Sequence, residues 1–254
     1  MTPVSDHPQQ QNSPDQSAAG RPTIVLVHGA FADSSSWVAV DRALAAKGYT
    51  AISVANPLRG LDGDAAYTAS VAATIDGPVV LVGHSYAGAV ITQAAAALEN
   101  VVGLVYVAAF IPEIGETSND LNARFPGSLL VPENLIARPT ADGKMDLYIR
   151  PERFGDIVGG PSSGAVVAAA IAQRPITVEA LGGALREAPA RSLPMVQVAA
   201  QDDHAVPTQL QHFMAERAGA HVVEADCGHG VPVLRPDVAA GAIIELASSA
   251  VTMV

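Results

Sequence analysis

The stretch Val79-Val80-Leu81-Val82-Gly83-His84-Ser85-Tyr86-Ala87-Gly88 decides how this chain is read. Its first half is apolar throughout, as a strand buried on both faces requires. Its second half opens the Ala-rich segment Tyr86 to Leu98, which is helical in character. Ser85 therefore falls on a turn from strand to helix. Such a turn is sharp, lifts a hydroxyl clear of the sheet and sets it at a helix N-terminus. Small residues flank it because bulky ones collide where strand and helix pass. The usual pattern is G-x-S-x-G; here Ala87 takes the last position and Gly88 follows. A helix-capping serine is the plainer alternative.

Outward from this turn the same rhythm repeats. Thr23 to Val27 is an apolar run closed by His28-Gly29, and Asp33 to Ser36 can cap a helix through Trp37, Val40 and Leu44. Thr50 to Ala55 is a second strand, Asp64 to Ile75 a helix and Val101 to Ala109 a further strand. Late in the chain Pro194–Ala200 and His221–Ala225 read as strands, with helices over Pro207–Ala218 and Pro236–Ser249. Strands apolar on both faces, alternating with helices, predict an α/β fold: about six mostly parallel strands with helices on both faces.

Residues 113–189 break the rhythm. Glu113 to Pro132 is irregular and polar, and Ile136–Pro139 and Met145–Ile149 flank an Asp142-Gly143 turn as in a hairpin. Gly164–Ala172 and Thr177–Glu187 read as helices. An insertion here predicts a cap or lid over the strand ends, where open α/β sheets bind ligands. The core is then 23–112 and 190–254, and residues 1–22, with four glutamines and four prolines, form a polar disordered tail.

Composition narrows the function. A net charge of −11 argues against nucleic acid or an anionic membrane as partner and leaves a small-molecule substrate. The longest apolar run, Val101 to Ile111, is about half the roughly 20 residues of a membrane span. One cysteine, Cys227, permits no internal disulfide, and the tail lacks the apolar core of a signal peptide. A cytoplasmic monomer or homodimer is expected. No His or acidic cluster recurs at metal-ligand spacing.

A serine hydroxyl needs a base, and the base an acid to orient it. In this topology the chain order is Ser, acid, His, each leaving the same sheet edge. The strand ending at Ala200 leads into Gln201-Asp202-Asp203-His204-Ala205-Val206-Pro207, and the strand ending near Ala225 into Asp226-Cys227-Gly228-His229-Gly230. Asp203 is preferred to its neighbour Asp202, which sequence separates poorly. His229 is preferred as base, because His28 and His84 sit beside tight turns and suit packing or hydrogen bonding. Oxyanion donors are expected from the backbone of Tyr86 and of Ala30, favoured over Phe31. The Phe31 side chain is a candidate substrate-binding wall. Cys227 reads as a small packed residue, and Arg59 as a solvated loop charge or a contact for an anionic substrate.

His28-Gly29-Ala30-Phe31, Gly83-His84-Ser85-Tyr86-Ala87-Gly88, Asp203-His204-Ala205-Val206-Pro207 and Cys227-Gly228-His229-Gly230, in that order, resemble the α/β-hydrolase superfamily. The likeness is to small bacterial members similar to esterases, plant hydroxynitrile lyases and methylesterases. It implies Ser85, His229 and Asp203 as nucleophile, base and acid, an oxyanion hole at Ala30 and Tyr86, and no cofactor. Departures are Ala87 and the absence of the first two strands of larger relatives. The expected reaction is ester or acyl hydrolysis through an acyl-enzyme. Hydroxynitrile or carbon–carbon cleavage is the alternative, weakened because Lys144, the one lysine of the insertion, sits on the hairpin turn. A ligand-binding protein with little turnover is the third reading.

Overall fold

The computed structural model describes residues 20–159 and 170–251. Most of the expected N-terminal tail and most of the helix expected over Gly164–Ala172 lie outside them. The core strands are β1 (Thr23–Val27), β2 (Ala51–Val54), β3 (Val79–His84), β4 (Val101–Val107), β8 (Met195–Ala200) and β9 (His221–Ala225). They form one six-stranded sheet in the order β2-β1-β3-β4-β8-β9, with every pairing parallel.

Alternation along each strand feeds two cores. Val25 and Val27 of β1, Val79 and Leu81 of β3, and Leu104 and Tyr106 of β4 enter one. Helices α2 (Leu61–Ala72) and α3 (Ala87–Ala96) cover it, together with α7 (Thr208–Ala218). Their sequence neighbours Ile24, Leu26, Val80, Val82, Val105 and Val107 enter the other, under α1 (Val38–Ala45) and α8 (Pro236–Val251). The period-2 pleat thus explains why these strands are apolar at nearly every position.

Strand order reverses beside β1: the chain moves outward to β2, then returns past β1 to β3. The crevice at such a switch point lies at the carboxyl ends of β1 and β3, where ligands bind in open α/β sheets. The loop His28–Phe31 and Ser85 leave those two ends.

Between β4 and β8 lie α4 (Ser118–Asn122), the antiparallel hairpin β5 (Leu135–Pro139) and β6 (Met145–Ile149), and α5 (Pro151–Val158). Strand β7 (Ile176–Thr177) then adds to β6, and α6 (Val178–Leu181) follows. Two expectations need correction. Residues 113–132 are not wholly irregular, because Thr117 caps α4 by accepting a hydrogen bond from the Asp120 N–H. The helix expected over Thr177–Glu187 stops at Leu181, where Gly182 and Gly183 follow. Beyond them the chain pairs with the strand-like segment before α4, Leu185 N–H donating to Glu116 O at 2.9 Å.

Candidate active site

Ser85 adopts φ +57°, in the left-handed region that costs a non-glycine residue about 1–3 kcal/mol. Its neighbours hold it there. Ser85 N–H donates to Val107 O on β4 at 3.2 Å, and Ser85 O accepts from Phe110 N–H at 3.2 Å. A Cβ on Gly88 would lie 2.1 Å from Phe110 O, and one on Gly29 would lie 2.7 Å from the Ser85 Cβ. The close approach therefore falls on Gly88. Ala87 is buried without displacing the turn, which is why the departure from G-x-S-x-G is tolerated.

The loop after β1 passes directly beside this turn. Phe31 also has a positive φ, +60°. His28 Nδ1–H donates to Gly29 O at 3.0 Å, and Asn56 Nδ2 donates to His28 O at 3.0 Å, so the loop is pinned from behind. Among the described residues the N–H groups of Ala30 and Tyr86 make no hydrogen bond. The Tyr86 phenol is anchored away from them, donating to Asp64 Oδ2 at 2.8 Å. Burial raises the Asp64 carboxyl and lifts Tyr86 well above the usual phenol range.

Asp203 and His229 meet. His229 Nδ1 lies 2.8 Å from Asp203 Oδ2, and because a carboxylate only accepts, Nδ1 carries the proton. That tautomer leaves Nε2 as the free base. The Asp203 side chain is fully buried, whereas that of Asp202 is 80% exposed and pairs with His204. The two neighbours are thereby separated. Asp203 Oδ1 accepts from the N–H groups of Ala205 and Val206 at 2.7 and 2.8 Å.

A cavity of about 290 Å³ joins these parts. Ser85, His229, Ala30, Phe31 and Tyr86 all border it, so Phe31 is both a wall and a member of the core beneath. Leu147 and Ile149 of β6 and Phe154 of α5 supply apolar wall on the other side. Small ligand sites are of this kind, apolar with a few placed polar groups.

Residues 24–242 match the Alpha/beta hydrolase family. The chain belongs to that family. No curated protein sequence matches it. Among solved structures, this alpha/beta hydrolase is similar to a pyrethroid hydrolase from Sphingobium faniae JZ-2 (22% identity, TM-score 0.74, covering 90% of this chain and 98% of that one). It is similar also to polyneuridine aldehyde esterase (19% identity, TM-score 0.76, 89% and 99% covered). A methylesterase from Arabidopsis gives 18% identity and a TM-score of 0.73, with 90% and 99% covered. At these identities the likeness is one of fold.

Other residues of this alpha/beta hydrolase sort by their surroundings. His84 Nε2 donates to His229 O at 2.9 Å, and the two rings lie 4.7 Å apart. Burial, with the neighbouring His229, pushes His84 down to about 3, so it stays neutral beside the His229 ring. Burial pushes the Cys227 thiol up to about 11, which suits a packed residue. Arg59 is a part-exposed loop charge held in an ion pair, and it does not border the cavity. It bonds Asp146 of β6 at 2.6 Å and Pro175 O at 2.9 Å, clamping the hairpin to the loop after β2. Lys144 does not border the cavity; its Nζ lies 3.4 Å from Arg59 O. Among the described residues no group of three or more His, Cys, Asp or Glu could hold a metal.

Sequence reasoning missed Gln211, which donates to Asp203 Oδ2 at 2.8 Å. A signal was present. Leu210, Gln211, Met214 and Ala215 are the buried residues of α7, so Gln211 is a polar residue on an otherwise apolar helix face.

Proposed function

We propose that this alpha/beta hydrolase is a serine esterase acting on small, largely apolar esters. The observation that carries the reading is the hydrogen-bonded His229–Asp203 pair on the cavity that Ser85, in its left-handed turn, also borders. In this reading Ser85 Oγ attacks the ester carbonyl carbon while His229 Nε2 takes the hydroxyl proton. Asp203 orients the imidazole and stabilises the charge it acquires. The negative oxygen of the tetrahedral intermediate receives hydrogen bonds from the Ala30 and Tyr86 amides, each such donor worth about 3 kcal/mol of barrier. The intermediate collapses as His229 protonates the departing alcohol, leaving Ser85 acylated. Water, deprotonated by His229, then releases the acid and regenerates the hydroxyl.

The apolar lining supports an ester whose acyl or alcohol part is apolar and modest in size. The names of similar structures, a pyrethroid hydrolase, a methylesterase and polyneuridine aldehyde esterase, agree with ester chemistry. Residues 113–189 act in this reading as the cap over the site, and no step calls for a cofactor. Lyase chemistry assisted by Lys144 is disfavoured by its position outside the cavity wall.

A fluorophosphonate probe and short p-nitrophenyl esters test the proposal, each with wild type and Ser85→Ala. Labelling and turnover are expected in the wild type alone. Turnover surviving the substitution, or wild type without ester turnover, would overturn it.

A further inference from the structure

We infer that Gln211 is a positioning residue, whose side-chain amide sets the orientation of Asp203 towards His229. The inference rests on the reading of Ser85, His229 and Asp203 as a catalytic triad. Gln211 lies in the first turn of α7 and is fully buried. A buried amide is costly unless its polar atoms are bonded, and both ends of this one are. Its Oε1 accepts from Ala200 N–H at 3.1 Å and from Gln197 Nε2 at 3.2 Å. Its Nε2 donates to Val206 O at 2.7 Å and to Asp203 Oδ2 at 2.8 Å.

These partners fix which end is which. The Ala200 N–H only donates and the Val206 carbonyl only accepts, so the amide has a single satisfied orientation. Its NH₂ group must face the carboxylate oxygen that takes the His229 Nδ1 proton. Asp203 Oδ1 is held by amides of its own loop, but Oδ2 is met by side chains alone, Gln211 and His229. Because Gln211 also grips Ala200, the last residue of β8, it references the acid to the sheet rather than to the loop. Supporting groups of this type matter because a loose carboxylate lets the imidazole drift.

The donor on Oδ2 also has an electrostatic effect. Without it that oxygen becomes a stronger acceptor for His229 and favours the protonated ring. Other titratable groups nearby do not substitute for it. The His84 ring packs 4.7 Å from the His229 ring and bonds the His229 carbonyl, Asp202 and His204 bond each other at the surface, and Cys227 and Asp226 sit on the His229 loop. Among the described residues none of these bonds Asp203 Oδ2.

The test is Gln211→Met, which keeps bulk and removes the amide, measured with p-nitrophenyl butyrate across pH. Expected are a fall in kcat of about 10-fold, KM within about 2-fold, and an acid limb of kcat/KM moved to higher pH. Gln211→Glu serves as a second variant should the first not fold. Its carboxyl can donate to Asp203 when neutral and repels it when ionised, so activity close to wild type at low pH should fade as pH rises. A folded Gln211→Met with wild-type kcat, or with an unmoved acid limb, would overturn the inference. So would a Gln211→Glu profile parallel to wild type. Activity remaining in Ser85→Ala sinks the triad itself; activity lost there with Gln211 variants unchanged sinks only this inference.

Discussion

Strands β3 and β6 both border the cavity, yet they are held by different means. All six residues of β3 are buried, and β3 pairs with β1 on one side and β4 on the other. β6 is buried only at Ile149, pairs with β5 along five residues and with β7 along two. Its polar ties to the sheet are the Arg59–Asp146 ion pair and the Thr177 N–H bond to Leu58 O, and Ile149 and Ile176 reach into one of the two cores. The chemistry thus stands on a scaffold that cannot shift without breaking two cores. The cavity wall from β6 joins one core through a single buried residue, Ile149, and is otherwise tied by a few polar contacts, which can be altered while the scaffold stays intact.

This contrast can be broken by experiment. Its largest expected effect is Ser85→Ala at the end of β3, with kcat down by about 10⁴-fold or more and circular dichroism unchanged. Next is a pH effect under β3. His84 is neutral when folded, down to about 3, but takes up a proton near 6.5 when unfolded. The unfolded state therefore binds more protons below 6.5, and stability falls as pH drops towards 3. His84 should account for a loss on the order of 3 kcal/mol between pH 7 and 4, read from urea midpoints and reduced in His84→Asn. His28, also lowered by burial, adds in the same direction.

Gly88→Ala comes third, because its Cβ would meet Phe110 O. A loss of about 2 kcal/mol is expected, whereas Ala87→Gly should cost less than about 1 kcal/mol. Equal losses would show that the close approach lies elsewhere. The smallest effect belongs to β6. The Arg59–Asp146 pair is part-exposed, so Asp146→Asn should change stability by under about 1 kcal/mol while raising KM a few-fold. If it costs as much stability as Gly88→Ala, the division between scaffold and wall fails.

How far the sequence could be read follows the same division. The central strands β1, β3 and β4 declared themselves because burial on both faces leaves few polar positions to confuse the pattern, as in Val79 to Val82. Asp203 and His229 were legible as loops leaving one sheet edge. Between β4 and β8 local signals were weaker. Helix α4 has only five residues, and α6 ends where tertiary pairing of Leu185 with Glu116 overrides its helical pattern. The role of Arg59 was hidden because its partners, Asp146 and Pro175, are remote in the chain. Gln211 was visible in principle, but its meaning depends on the end of β8 that it grips.

The adjacency of β4 and β8 has a consequence for how the molecule assembles. β1 to β4 with α1 to α3 can form from segments that follow one another directly. The β4–β8 pairing must wait until everything from Ala108 to Pro194 has been looped out, which makes it a late step. The thermodynamic toll of that loop grows only logarithmically, each doubling adding about 0.6 kcal/mol. Lengthening or trimming the segment should therefore alter folding speed and substrate fit far more than equilibrium stability.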